Sequence, residues 1–518
     1  MGKGDDVAAD WTSGYVAEIG YTYGYYRELN PLVARLAIIS AGYHAPTITS
    51  ACELGFGQGL SVNIHASAGA ASWYGTDFNP AQAGFAKQLA ATSGANAMLY
   101  DQDFAEFTRR DDLPEFDFIG LHGIWSWISA ANQSLIVDFI HRRLKVGGIL
   151  YISYNTHPGW SASVPLRHLL TLHSELMAPL GSNIVTRIDD AINFADSLFA
   201  LDSAFVAANP SMAERVTKLK AQNRHYLAHE YFNRDWTPVH FSEMATTLTS
   251  AKLTYVCSAN LIDHFDQVNL NEKQRKFLGD ISNPIFRQTV RDLMVNQQFR
   301  RDYWIKGARP LSALARRELL EAQRVALVLP RSLVPMAITG ARGDAKLNAE
   351  IYTPLLDLLA DNRPKSLKQL AMALPADKIT PQQLLEALLV LIGGGAVAPV
   401  QDDAAIARAR QSCQQLNGFV ASQSLATNDI QHWASPVTGS GIEISRFDQL
   451  FIAACAQGEK TPEDWSRSVW KILKSQNQKI VATNGVLNTD DENVDHLLTE
   501  AKSFLSYKGD VFKALELY

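Results

Sequence analysis

The chain has 518 residues, too many for one hydrophobic core, with 47% hydrophobic and 19% charged residues, the composition of soluble globular proteins. A net charge of −6 argues against a protein built to neutralise nucleic-acid phosphates, and no stretch has the roughly 18 apolar residues of a membrane span. The cysteines Cys52, Cys257, Cys413 and Cys455 are scattered with no CxxC pair, so neither a metal site nor a disulfide framework is expected. A reduced, cytoplasmic setting fits, as does the lack of an apolar signal segment in MGKGDDVAADW.

In chain order, the aromatic stretch GYTYGYYRELNP (20–31) leads into the apolar helical run PLVARLAII, and residues 1–45 read as an N-terminal cap. Apolar runs of strand length then alternate with helical patterns: strands over 47–54, 71–77, 97–103, 116–122 and 149–155, helices near 60–70, 79–93 and 128–144. That alternation predicts a parallel sheet with helices on both faces, its strands continuously apolar because both sides are covered. Residues 160–234 read as a helical insertion or lid. A strand at 253–259, helices over 271–298 and a strand at 299–307 then resume the sheet, so this α/β domain is expected to span 46–310.

Residues 308–345 read as a helical or loop connection broken by PRSLVPM and GARGD. In 352–401, Leu384, Leu385, Leu388, Leu389 and Ile392 sit at helical spacing, Gly393–Gly395 stop the helix, and AVAPV reads as a short strand. Helix–helix–helix–strand of these lengths suggests a winged-helix-like module over 340–401, and 402–518 reads as a mixed, mostly helical domain. The lysines Lys365, Lys368 and Lys378 are too sparse for a DNA-reading face.

The chemistry begins at ELGFGQG (53–59), which follows a strand and opens a helix. Its glycines permit a tight turn and close approach to a ligand. The spacing is GxGxG with an acid two residues before the first glycine; it departs from the dinucleotide GxGxxG, and no lysine follows, which excludes a P-loop. A ligand with a cationic group and a ribose but no phosphate fits better. Glu53 would lie near the cation, Asp77 at the end of the second strand can take both ribose hydroxyls, and Asp103 at the end of the third can accept from an adenine amine.

These acids, with Gly55, Gly57 and Gly59, resemble the first motif, ribose acid and adenine pair (Asp103 with Phe104) of the class I S-adenosylmethionine (AdoMet) methyltransferases. LKVGG (144–148) is similar to their LKPGG turn, with Val146 in place of proline. The resemblance implies a Rossmann-like methyltransferase sheet and AdoMet as cofactor. LHGIWSW (121–127), YNTHPGW (154–160), GYYRELNP (24–31) and HYLAHEYFNRDWTPVHF (225–241) further resemble bacterial methyltransferases with a methyltransferase regulatory domain. The best-understood members of that family methylate lysines of outer-membrane proteins. The resemblance runs from about residue 15 to 310 and implies a protein substrate; a small molecule or surface glycan as acceptor and a non-catalytic AdoMet-binding regulator stay open, as does the oligomeric state.

Trp125 and Tyr154, with Trp127 and Trp160, are candidate aromatic walls beside the transferring methyl, weighed against plain packing. His122 is a candidate base and cofactor contact, His157 a candidate for catalysis or for shaping its loop, and Asn155 a candidate to hold the acceptor or the cofactor's carboxylate. Tyr21, Tyr23, Tyr25 and Tyr26 are candidates to close over the cofactor and Arg27 to pair with its carboxylate. In HYLAHEYF, His225, His229 and Phe232 fall on roughly one helix face with Glu230 turned aside; packing is expected there rather than a metal.

Overall fold

Seven strands, β1 (Ser50–Leu54), β2 (Ser72–Thr76), β3 (Ala97–Tyr100), β4 (Phe116–Leu121), β5 (Leu144–Asn155), β6 (Leu253–Ser258) and β7 (Phe299–Lys306), form one sheet in the order β3-β2-β1-β4-β5-β7-β6. The computed structural model describes residues 21–179, 181–201, 203–483 and 485–518, so the first twenty residues of the expected N-terminal cap lie outside it. β1 to β5 run parallel, and β7 lies antiparallel between β5 and β6. This is the Rossmann-like class I methyltransferase sheet that the sequence implies. One boundary differs: LKVGG is not a turn ahead of β5 but its first residues, with Leu144 opposite Phe116 and a bulge before Ile149 pairs with Phe118.

Local sequence sets the helices. α1 (Pro31–Ser40) starts at Asn30, whose side chain accepts from the N–H groups of Leu32 and Val33, with proline at the first helical position. α2 (Leu60–Ala68) follows the glycine loop, and α3 (Pro80–Ser93) repeats the Asn-Pro start through Asn79. α4 (Phe104–Thr108) is capped by Asp103 and α5 (Ala130–Arg143) by Ser129. Among the described residues six α-helices lie between β5 and β6: α6 (Val164–Leu176), α7 (Ile184–Phe199), α8 (Ala204–Ala208), α9 (Ser211–Ala221), α10 (Arg224–Tyr231) and α11 (Phe241–Thr249). Helices α6, α7, α9 and α10 bury a core of their own with Leu166, Leu170, Ile188, Ile192, Val216 and Leu227.

After β7 the chain departs from expectation. The connection holds a helix (Ala313–Glu321) and three unforeseen strands: β8 (Arg324–Leu327) and the hairpin β9 (Ala337–Gly340) with β10 (Gly343–Lys346), whose turn is the GARG of GARGD. A four-residue apolar run such as RVAL cannot be told from buried helix by periodicity. β8 is the middle strand of a small antiparallel sheet, between β11 (Lys365–Ser366) and β12 (Val397–Val400). The helices Ala349–Leu358, Leu367–Ala373 and Pro381–Gly393 pack beside it, giving the winged-helix-like arrangement. Here β12 leads straight into a 22-residue helix, Asp403–Ser424, instead of a wing hairpin.

That long helix lies against α2 and α3. Leu60, Ile64, Ala68 and Leu89 of the α/β part share one apolar core with Cys413, Leu416 and Val420, which explains why every residue of α2 is buried. The hairpin β13 (His432–Ser435) with β14 (Ser440–Glu443) and helices from Arg446 to Ala514 complete a mostly helical C-terminal part. No described helix is long and apolar enough to cross a membrane.

At the β5–β7 seam a buried charge cluster fixes register. The Arg300 guanidinium donates to Asp292 Oδ1 at 2.6 Å and to both carboxylate oxygens of Asp302 at 3.0 Å, lies 4.2 Å over the Phe241 ring, and is 5% exposed. Removing it strands two buried carboxylates, so Arg300→Ala is expected to destabilise the chain by about 3–5 kcal/mol, read as a lowered urea midpoint; an unchanged midpoint would show that the cluster does not hold the seam.

Candidate active site

The end of β1 turns sharply into α2 through Gly55, Gly57 and Gly59, at φ 71°, 59° and 72°. This is left-handed backbone that side chains rarely adopt, and space is short as well. A Cβ on Gly55 would sit 2.5 Å from Ile124 Cδ1, and one on Gly59 2.3 Å from Ala86 Cβ. At Gly57 the nearest atoms are 3.8 Å or more away, because this glycine faces an open cavity.

Asp77 braces the loop from the end of β2. Its Oδ2 accepts the Gly57 N–H at 2.8 Å and its Oδ1 the Asn79 N–H at 3.0 Å. Each oxygen keeps a lone pair for a ribose hydroxyl. Burial pushes this carboxyl up to about 6 against the pull of those two N–H groups. Glu53 lies behind, 1% exposed, with no hydrogen-bond partner for Oε2. Burial, then the Asp77 charge, push its carboxyl up to about 8. An orphaned acid next to a second one is completed by a cation, so the donor set fits a sulfonium or ammonium ligand that also carries a ribose.

The cavity over this loop is lined by Asp77, Phe78, Asp103, Phe104, His122, Ile124 and Ile128, with Tyr21 and Tyr26 from the N-terminal segment and His229, Glu230 and Asp235 from the end of the helical insertion. Asp103 also caps α4, accepting the Glu106 N–H at 2.7 Å. A second cavity of about 400 Å³ adjoins the first and shares Tyr21, His122, Gly123, Trp127 and Glu230 with it. Asn155, Trp160, Tyr226, Tyr231 and Phe299 wall it further, with Arg215 and Lys218 of α9.

His122 stands at the junction, its ring 3.6 Å from that of Tyr26 and its Nδ1 2.7 Å from the Tyr151 hydroxyl. Burial lowers it to about 4, so the imidazole is neutral and a weak proton acceptor, which fits a wall better than the expected base. Trp127 lines both cavities, and Asn155 reaches the second with its Nδ2 buried and unpartnered. Trp160 lines the second, and the Arg215 guanidinium lies 4.7 Å over its ring.

Several expectations are corrected. Trp125 is not a wall: the 3₁₀ turn Trp125–Trp127 sends its indole into the core with Ile136 and Phe139 while Trp127 faces the cavities. Tyr154 is not a wall either. Alternation along β5 sends it to the face of Leu150 and Ile152, where its hydroxyl donates to Asp302 at 2.7 Å, and Asn155 takes the cavity side. Arg27 donates to the carbonyls of Ile392 and Gly393. Tyr23 packs on Phe85, and Tyr25 on His65 and His432. His157 pairs with Ser161 beside His240 and lines neither cavity. Glu230 is not turned aside but lines both cavities, and burial pushes its carboxyl up to about 7. The i,i+4 spacing of Tyr226 and Glu230 was the signal that could have found it.

Comparison with known proteins agrees with this geometry. A family model for a methyltransferase domain matches residues 52–152, and one for a predicted methyltransferase regulatory domain matches residues 223–306. PKMT2 from Rickettsia typhi, solved in complex with AdoHcy, has a similar fold, with a TM-score of 0.67 at 18% identity over 95% of this chain and 98% of that one. The fold, the glycine loop and its acids define a class I methyltransferase, an enzyme that takes its methyl group from AdoMet. Within that class the chain belongs to the family that carries the regulatory domain. The uncharacterized protein sll1526 of Synechocystis sp. is 37% identical over 499 residues, 95% of this chain and 97% of that one. The uncharacterized protein RP789 of Rickettsia prowazekii is 25% identical over 307 residues, 55% of this chain and 54% of that one.

Asp77→Ala removes both the loop brace and the ribose acceptor and is expected to weaken AdoMet binding by about 1–3 kcal/mol in calorimetry; wild-type affinity in the folded variant would sink the ribose assignment. Glu53 is raised above neutrality, so at pH 7 it is protonated until a cation arrives. AdoMet binding at pH 7 is therefore expected to release a large fraction of a proton, measured by calorimetry in buffers of different ionisation enthalpy. The release should vanish in Glu53→Gln, and its persistence there would assign the proton elsewhere.

Proposed function

We propose that this AdoMet-dependent methyltransferase is a protein lysine N-methyltransferase. The observation that carries the reading is the second cavity, walled by Trp127, Trp160, Tyr226, Tyr231 and Phe299 and open to the cofactor cavity at His122 and Gly123. Aromatic faces attract an ammonium, and Trp160 already holds a cation in the form of Arg215. The same walls exclude water, which disfavours the charged amine and eases its deprotonation. For an exposed lysine that step costs roughly 4–5 kcal/mol at pH 7.

When bound, AdoMet supplies a methyl group on a sulfonium, an in-line electrophile. The chain positions the acceptor nitrogen in line with it and keeps solvent out. Tyr21 and Tyr26 wall the cofactor side, the end of the helical insertion walls the acceptor side, and Asn155 lies on the second cavity, where its side-chain carbonyl oxygen can accept from an amine N–H. The likeness of the flanking motifs to lysine methyltransferases of outer-membrane proteins supports a protein acceptor on the bacterial surface. In this reading residues 46–310 form the catalytic domain, 160–234 its lid, and the parts at 340–401 and 402–518 help hold the substrate.

A second reading is favoured by size. A cavity of about 400 Å³ also suits a free small-molecule amine. Transfer of labelled methyl from AdoMet into a lysate, separated into protein, glycan and small-molecule fractions, tells the two apart. Label on protein lysine is the expected outcome; label confined to small molecules or glycan would replace the reading.

A further inference from the structure

An ammonium must lose a proton before its nitrogen can attack the methyl group, and His122 is a poor acceptor for it. Of the carboxylates lining the first cavity, Asp77 and Asp103 are engaged by backbone N–H groups. Glu230 is, among the described residues, the one carboxylate that lines both cavities, and no hydrogen bond or ion pair from its carboxylate to another side chain is found among them. It sits on α10 between Tyr226 and Tyr231.

The cations facing it also hold other groups, and Arg167 acts on the Glu230 charge as well. Arg167 of α6 donates to the Asn233 carbonyl and lies over Trp236; Arg215 of α9 donates to the Tyr231 hydroxyl and lies over Trp160; Lys218 pairs with Glu214. The remaining titratable neighbours are Tyr21, Tyr26, His122, Tyr226, His229, Tyr231 and Asp235.

We propose that Glu230 receives the acceptor amine: its carboxylate accepts hydrogen bonds from the entering ammonium and takes one proton from it. The inference rests on the amine reading above. An N–H bond breaks as an O–H bond forms on Glu230, and the nitrogen keeps the electron pair. That pair forms the new N–C bond to the methyl carbon while the C–S bond breaks and its electrons go to sulfur. The methylated nitrogen leaves as an ammonium, and Glu230 returns its proton to solvent as the product departs. Burial raises the proton affinity of this carboxylate far above the ordinary, with Arg167 opposing the rise, which suits it to the transfer.

The test uses the full-length chain and Glu230→Gln, with AdoMet calorimetry as the check that the variant is folded. Methyl transfer into lysate lysine is measured from pH 5.5 to 9. Wild type is expected to lose rate about tenfold per pH unit below about 7; Glu230→Gln should be roughly 10²–10⁴-fold slower and lack that acid limb, with partial recovery in Glu230→Asp. n-Butylammonium, a probe of the lysine side chain, should bind the AdoHcy-loaded wild type at least tenfold tighter than the Gln variant by ligand-observed NMR. A Gln variant within tenfold of wild type that keeps the acid limb, or that binds n-butylammonium equally well, overturns the proposal and leaves the amine reading intact. Wild-type label on oxygen or carbon instead of nitrogen overturns both.

Discussion

One short segment, Tyr21–Pro31, holds the parts of this molecule in register. Its Tyr26 ring stacks on His122 and its Tyr26 N–H donates to Ser61. Glu28 pairs with Arg301, and the Tyr303 hydroxyl donates to the Glu28 carbonyl, so the segment is bound to the antiparallel β7. Arg27 reaches the carbonyls that end the Pro381–Gly393 helix, and Asn30 reaches the Gly439 carbonyl in the turn of the β13–β14 hairpin. The pairing of a cation with the carbonyl end of a helix dipole is favourable in its own right. The segment thus touches the sheet, the winged-helix-like module and the C-terminal part at once, and its Tyr21 and Tyr26 wall the cofactor cavity. Without it the cavity would be an open crevice at the strand ends.

The electrostatics beneath the glycine loop are set by burial. Glu53 and Asp77 are buried together, and burial raises both carboxyls, with the Asp77 charge adding to the rise at Glu53. A cationic, ribose-bearing ligand relieves that arrangement, and a neutral one does not. In the second cavity the Arg215 guanidinium rests on the Trp160 indole face, a contact of cation with aromatic ring.

The sheet was legible in the sequence because its strands are continuous apolar runs capped by Asn-Pro and Gly signals, and all seven fall within a few residues of expectation apart from the early start of β5. β8 to β10 were not, since runs of four residues carry no periodicity that distinguishes strand from helix. The glycine loop and the acids at the strand ends were legible because they stand at fixed offsets from strands that were themselves legible. The walls were harder. Choosing between Trp125 and Trp127, or Tyr154 and Asn155, requires the phase of a turn or of the β5 alternation, and a one-residue error reverses the answer. Glu230 was missed for a related reason: the helix face was fixed on its histidines, and His229 is indeed buried, whereas the half-buried Glu230 on the neighbouring face lines both cavities.

The Tyr21–Pro31 segment also gives the molecule a schedule. The carbonyls that hold Arg27 lie 365 and 366 residues later in the chain, and the one that holds Asn30 lies 409 residues later. At roughly 5–20 residues per second, about 20–80 seconds pass between the two ends of each contact. Through that interval the segment can already rest on His122 and β7, while its two contacts to the later parts are still missing. A chain cut short ahead of the β13–β14 turn would carry the binding motif with a cavity wall that lacks the Asn30 contact to the C-terminal part.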